Sequence, residues 1–348
     1  MSGTLLRLAC TAAMAAQVAL APLPAAAAPE PQRPVAQLLT DLQRLYRQTE
    51  QATETYNATA GKLTAQRAEV RRLDGELARA RLALRDSRSD AGRLARAQYQ
   101  NSSGGFSPYV RLLLARDPQQ ALDEGHVIGR VAIEHAATLD RLTGAEKRAD
   151  TLAGAARRAL DTQLTLADRQ KKQRDDVTRR LSEVERLLAS LTPEQQGEVS
   201  RLEQDGVARA QRRLTDSGAL GEDRPASAEG GRAVGYALDQ IGKPYRWGAV
   251  GPASFDCSGL TSRAWARAGT PIPRTSQEQW ARLPHVPLNS LRPGDLVIYF
   301  PEATHVALYL GDGKVVQAPR TGENVRISPL ASNPVLGAVR PDAAPRRL

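Results

Sequence analysis

Cysteine and aromatic side chains are scarce in this 348-residue chain, which holds two Cys, three Trp, three Phe and eight Tyr. Two cysteines exclude a disulfide scaffold. Aromatics amount to 4% of residues, too few for one large single-core protein. They are also unevenly placed. Nine of the fourteen follow residue 228, so the bulky side chains of a compact core are concentrated in the last third. Blocks of one charge are missing too. The basic run Lys171-Lys172-Gln173-Arg174 is followed at once by Asp175-Asp176, with no aromatics interleaved for base stacking. A solvated helix face explains it, and nucleic acid is not an expected partner. The net charge of +10 is spread along the chain and suits weak attraction to anionic cell-surface polymers.

Residues 1–28 have the form of a secretory signal: Arg7, a short apolar run through Ala21, then Ala25-Ala26-Ala27-Ala28 before Pro29. That run is shorter than the ~20 residues of a membrane-spanning helix. Cys10 precedes the run, which argues against a lipid anchor, and it leaves with the signal. The expected product is a secreted, extracellular protein with one thiol, Cys257. An unpaired thiol in an oxidising compartment needs a reason.

Residues 29–215 read as a helical domain. Alternating steps of three and four from Val35 to Leu94 meet apolar residues at all but Thr49, Thr59, Gln66 and Ser87, a sustained heptad seam. A second seam runs from Leu139 to Leu191 and is weak at Gln163, Gln170 and Arg174. Two such helices most simply form an antiparallel coiled-coil hairpin. Asn101 to Gly105 breaks the first helix, and Tyr109 to Leu114 is an apolar helix at the tip, there to close the hairpin or to dock a partner. Thr192-Pro193 starts a third helix. His126 and His135 lack acidic or cysteine companions at ligand spacing, so neither metal nor cofactor is expected. Residues 216–230 read as a flexible linker.

Residues 231–340 carry the chemistry, ahead of a short tail, 341–348. Cys257 stands at or just before a helix N-terminus, where the dipole and free N–H groups favour a thiolate. His305 opens the alternating strand Val306 to Gly311 and shares a face with Ala307 and Tyr309. It is the better base, since His285 sits in a proline-flanked loop. A two-residue turn after Gly311 would pair Gln317 with Leu308, on the wrong face. A three-residue loop with Gly313 left-handed pairs it with Ala307, where its amide can orient the imidazole. Thr275 and Glu278 have capping-box spacing, and Leu291 to Leu296 reads as the start of a core strand. Neither segment receives a catalytic role.

Five stretches in order (Gly242-Lys243-Pro244-Tyr245-Arg246-Trp247-Gly248, Asp256-Cys257-Ser258-Gly259-Leu260, Pro273-Arg274-Thr275-Ser276, Leu291-Arg292-Pro293-Gly294-Asp295-Leu296 and His305 to Gly311) resemble the NlpC-type cell-wall peptidases. The resemblance implies an α+β chain: a coiled-coil hairpin followed by a papain-like domain, with Cys257 as nucleophile and His305 as base. It further implies that Tyr245 lines the site and that Asp256 and Ser258 contact the substrate's free amine. The substrate it implies is peptidoglycan, cut between D-glutamate and the following diamino acid. Two positions depart from the family's pattern: Gln317 stands where His is common, and Ala307 where Gly is usual. Long coils ahead of such domains resemble those governed by FtsX-type membrane partners, or those that fold over the cleft. The competing readings are an adaptor with an inactive peptidase-like domain and an amidase on the same scaffold.

Overall fold

The computed structural model describes residues 34–103, 110, 113, 117–222 and 224–343. The expected signal, most of the tip helix and residues 344–348 lie outside the described residues.

Two helices make the rod: α1 (Val35–Ser103) and α2 (Pro118–Ala189). They run antiparallel, since partners on α2 fall in number as those on α1 rise. Gln66 Nε2 donates to Ala159 O at 2.9 Å, Arg88 pairs with Glu146 at 3.0 Å, and Gln98 meets His135 at 3.0 Å. At 1.5 Å per residue each helix is roughly 100 Å long. Leu38, Leu42, Leu63, Leu73, Leu77 and Ala80 are buried against a face that includes Ala149, Ala156, Val177 and Val184. The second seam departs from its expected path. Leu139 and Leu160 are 57% and 44% exposed, and Ala159 is buried instead. A straight helix drifts about 20° per heptad from a 3.5-residue repeat, and the polar residues flanking Leu160 do not hold it to the seam.

Helix α3 (Pro193–Asp216) begins with a complete capping box. The Thr192 hydroxyl accepts from Gln195 N–H, and the Gln195 side chain accepts from Thr192 N–H. Val199 joins Leu38, Leu42, Val184 and Leu191 in a three-helix core at the base of the rod. The C-terminal half of α3 then reaches the second domain. Gln211 bonds Gly313 O and Ala331 N–H, while Glu203 pairs with Arg320 through both carboxylate oxygens. The stretch expected as a linker is therefore short: α3 ends at Asp216, and α4 (Ala228–Leu238) is capped by Ser227. Between them Leu220 packs under the sheet, and Gly221 lies so close to Asn289 O that a Cβ would come within 2.2 Å.

The second domain contains α4, α5 (Cys257–Ala268), α6 (Ser276–Arg282) and six strands. These are β1 (His285–Val286), β2 (Leu296–Tyr299), β3 (His305–Gly311), β4 (Lys314–Gln317), β5 (Arg326–Pro329) and β6 (Val335–Val339). All pair antiparallel in the order β1-β6-β2-β3-β4-β5. With its helices this is the expected α+β architecture. Alternation divides the strands between two cores. Leu296, Ile298, Val306, Leu308 and Val316 pack on Leu260, Ala264 and Trp265 of α5. Val297, Tyr299, Ala307, Tyr309 and Val315 form the opposite face, where Leu214 of α3 and Leu220 pack.

The start of β2 is tied to the end of β6 by a buried ion pair. The Asp295 carboxylate accepts from Arg340 Nε and Nη2 at 2.8 and 2.7 Å, and from Arg292 N–H at 2.9 Å. Asp295→Ala leaves that largely buried guanidinium with only the Ser290 carbonyl as partner. It is expected to destabilise the domain by about 3 kcal/mol, seen as a lower urea midpoint at unchanged m.

Candidate active site

Cys257 is the first residue of α5. Asp256 caps the helix, its Oδ1 accepting from Gly259 N–H at 2.6 Å. Gly259 is required by close approach, because a Cβ there would meet Ala249 O at 2.2 Å. The thiol is thus fixed at a helix N-terminus as expected, and it is buried.

His305 opens β3 opposite Tyr299, and its Nε2 lies 2.7 Å from Gln317 Oε1. Because an amide oxygen only accepts, the ring proton is assigned to Nε2, leaving the Nδ1 lone pair free to take a proton. The register that allows this arises differently from expectation. Gly311 pairs with Lys314 across a two-residue turn in which Asp312 and Gly313 have φ of 52° and 63°. Alone, that turn would set Gln317 opposite Leu308. A one-residue bulge between Tyr309 and Gly311 restores the pairs Tyr309–Val315 and Leu308–Val316. Continuing that pairing sets Gln317 beside Ala307, on the His305 face.

The cleft is filled by one stretch of α1. Glu54, 1% exposed, accepts from Ser258 Oγ at 2.6 Å and from Ser276 N–H at 3.1 Å, and its Oε1 lies 3.7 Å from Cys257 Sγ. One turn earlier, Glu50 Oε1 is 3.5 Å from His305 Nδ1. Asn57 Nδ2 donates to Asp256 Oδ2 at 3.1 Å, and Tyr56 meets Trp247 edge to face at 5.0 Å. Residues i and i+4 share a helix face, so a single face of α1 touches both the thiol and the imidazole. Outside the cleft, Arg320 stacks over Tyr46 of α1, 4.5 Å from its centroid, while it pairs with Glu203 of α3.

Arg274 completes the floor. Its Nη2 lies 2.6 Å from Asp256 Oδ2, and its Nη1 donates to Asp256 Oδ1 at 3.1 Å and to Ser258 Oγ at 2.8 Å. Tyr245 is buried in the same core as Cys257. All six residues singled out in the sequence, Tyr245, Asp256, Cys257, Ser258, His305 and Gln317, therefore belong to one locality. His285 is apart from it, stacked on Trp280 at 3.8 Å. Sequence reading missed Glu50, Glu54 and Asn57, and quoted Arg274 and Ser276 within a motif without giving them a role. The first three look like any polar helix face, and the only hint was the polar break in the seam at Thr49 and Thr59, both buried here.

The electrostatics of this closed cleft oppose thiolate formation. Burial pushes the Cys257 thiol well up, and the nearby Glu54, Asp256 and Glu50 carboxyls push it further against the Ser258 N–H. Burial lowers His305 to about 4, although its bond to Gln317 acts the other way. Burial, then Asp256, raises Glu54 to about 8 against the pull of Ser258, Arg274 and Ser276. Glu50 is raised well above its usual range by burial. The helix N-terminus that was expected to favour a thiolate is outweighed while α1 is in place. Among the described residues no group of three His, Cys, Asp or Glu could hold a metal, and no helix is long and apolar enough to cross a membrane.

The profile of the NlpC/P60 family matches residues 242–338. A probable endopeptidase of Corynebacterium glutamicum is 44% identical over 116 residues, which cover 33% of this chain and 56% of that one. The peptidoglycan endopeptidase RipA of Mycolicibacterium smegmatis is 37% identical over 122 residues, covering 30% and 24%. Among solved structures, the NlpC/p60 domain of the peptidoglycan hydrolase SagA is 31% identical, with 32% of this chain and 97% of that one covered at a TM-score of 0.30. The chain spans about half or less of the length of these curated relatives.

Proposed function

Because residues 242–338 belong to the NlpC/P60 family, we propose that the protein is a secreted cysteine peptidase that cuts stem peptides of peptidoglycan, with α1 as its built-in inhibitor. The bond is the one between D-glutamate and the following diamino acid. The observation that carries the reading is the cap-positioned Cys257 sharing one cleft with a His305 whose Nε2–H is held by Gln317. In the opened cleft, water lowers the thiol's pKa and raises that of the imidazole, and the departure of two carboxyls lowers the thiol's further. His305 Nδ1 takes the thiol proton, and the thiolate adds to the acyl carbon. The resulting imidazolium protonates the departing amine, and water then releases the acyl group with His305 as base.

Closure by α1 supports inhibition on two counts: Glu54 occupies the space next to the nucleophile, and burial beneath α1 discourages the thiolate. The experiment is digestion of purified cell wall by a chain opened through alanine at positions 50, 54 and 57, with the fragments identified by mass spectrometry. Fragments bearing a new diamino-acid N-terminus support the reading. Stem peptides released whole, with the amine of their first residue freed from the sugar, would transfer it to an amidase, and no fragments at all to an adaptor, which the filled cleft also suits. The opening agent acts on the rod, for which an FtsX-type membrane regulator is the candidate.

Two further outcomes follow from the closed geometry. Arg320→Ala removes the node that joins α1, α3 and the loop after β4. It is expected to raise activity of the intact chain about fivefold, a smaller effect than opening the cleft itself because a partly exposed pair contributes about 1 kcal/mol. The second concerns pH. A carboxyl whose pKa is raised on closure stabilises the closed state fully below its ordinary value near 4.5, and that contribution is lost as pH rises toward about 8. His305, lowered to about 4 on closure, has the opposite effect: its contribution is present above 6.5 and lost toward pH 4. Between pH 6.5 and 8.5 the Glu54 trend stands clear of the His305 one. The ratio of opened-chain to intact-chain hydrolysis is therefore expected to fall across that interval.

A further inference from the structure

Gln317 can orient His305 only if its own amide is oriented. A carboxamide presents an acceptor on one side and a donor on the other, and the two exchange by a flip. With Nε2 turned to the imidazole, His305 would have to carry its proton on Nδ1, the nitrogen that must accept the thiol proton.

The flip is opposed from outside the catalytic groups. Gln317 Nε2 donates to Ser332 Oγ at 3.3 Å. The Ser332 hydroxyl also bonds the Tyr299 oxygen, whose own proton goes to Leu330 O, so the Ser332 proton is committed there and its oxygen is left to accept from the amide. Ser332 ends the short turn Leu330–Ser332, and that turn is pinned at Leu330 and Ala331. Leu330 O accepts from the Tyr299 hydroxyl at 3.0 Å, and Leu330 N–H donates to Gly313 O at 2.8 Å. Ala331 N–H donates to Gln211 Oε1 at 2.9 Å, while Gln211 Nε2 donates to Gly313 O at 3.2 Å. Gln211 therefore ties together the turn before β4 and the turn after β5. It lies on α3, outside residues 242–338.

We propose that Ser332, held in place by Gln211 of α3, is a positioning residue that fixes the Gln317 amide and through it the working tautomer of His305. The helical arm then has two opposed roles: α1 closes the cleft, and α3 braces it. This rests on the thiol-peptidase reading, so the test separates the two.

In the chain opened at positions 50, 54 and 57, Ser332→Ala is expected to lower kcat about tenfold with KM unchanged, and Ser332→Thr to restore it. Gln211→Ala should lower kcat less, and Gln211→Glu, which keeps the acceptor for Ala331 N–H, should recover most of the loss. The imidazole ¹⁵N shifts of His305, one of four histidines, report the tautomer independently of turnover. The parent should show a single Nε2–H form, and Ser332→Ala a mixture. A single Nε2–H form in Ser332→Ala, or equal losses in the Ala and Thr variants, overturns the proposal. An opened parent that cuts nothing but shows the tautomer change sinks the peptidase reading and leaves the positioning role standing.

Discussion

Replacing Glu50, Glu54 and Asn57 together with alanine should raise wall hydrolysis by the intact chain about a hundredfold. Three hydrogen bonds hold this part of α1 in the cleft: Ser258 Oγ and Ser276 N–H to Glu54, and Asn57 to Asp256. A buried hydrogen bond contributes about 1 kcal/mol net, and each 1.4 kcal/mol changes an equilibrium tenfold. Losing about 3 kcal/mol of closure therefore multiplies the open fraction by about a hundred. The Tyr56–Trp247 contact and the Arg320 node survive in this variant and limit the gain. Release of soluble stem-peptide fragments per unit time measures it. A fall in activity would mean that α1 builds the site instead of blocking it.

In that opened chain, Cys257→Ala is expected to cost at least about a thousandfold in kcat, because the acyl intermediate can no longer form. His305→Ala should cost a similar amount. The double variant should lose little more than either single one, since groups that act as a unit are not additive. The pattern is diagnostic. A metal-dependent or purely acid–base hydrolase would tolerate loss of the thiol while remaining sensitive at His305. Rates of fragment release for the two single variants and the double variant decide between these, with circular dichroism confirming that each is folded.

Local and periodic features were legible in the sequence, and contacts between distant segments were not. The heptad seam of α1 follows from spacing alone, as do the Thr192 cap and the place of Cys257 at the start of a helix. The faces of β3 follow from its alternation, but the side on which Gln317 lies depends on the turn after Gly311. The bulge that restores its register is not legible, because Leu310 looks like any other strand residue. The second seam was read one position off at Leu160, where polar neighbours leave the helix free to rotate. Glu54 illustrates the larger limit. It lies 203 residues from Cys257, and on α1 it has the spacing of an ordinary solvated charge. Nothing local distinguishes a carboxyl destined for water from one destined for a cleft. Likewise Gln211 lies just before, and Leu220 within, a stretch whose composition suggests a linker, yet both are packed against the sheet domain.

Cys257 is the one thiol among the described residues, so its alkylation by iodoacetamide reports the cleft directly. At pH 7 the intact chain should react at least tenfold more slowly than the chain opened at positions 50, 54 and 57. The opened chain in turn should lose most of its reactivity when His305 is replaced by alanine. Equal rates in the intact and opened chains would contradict closure by α1. An opened thiol indifferent to His305 would contradict the catalytic pair.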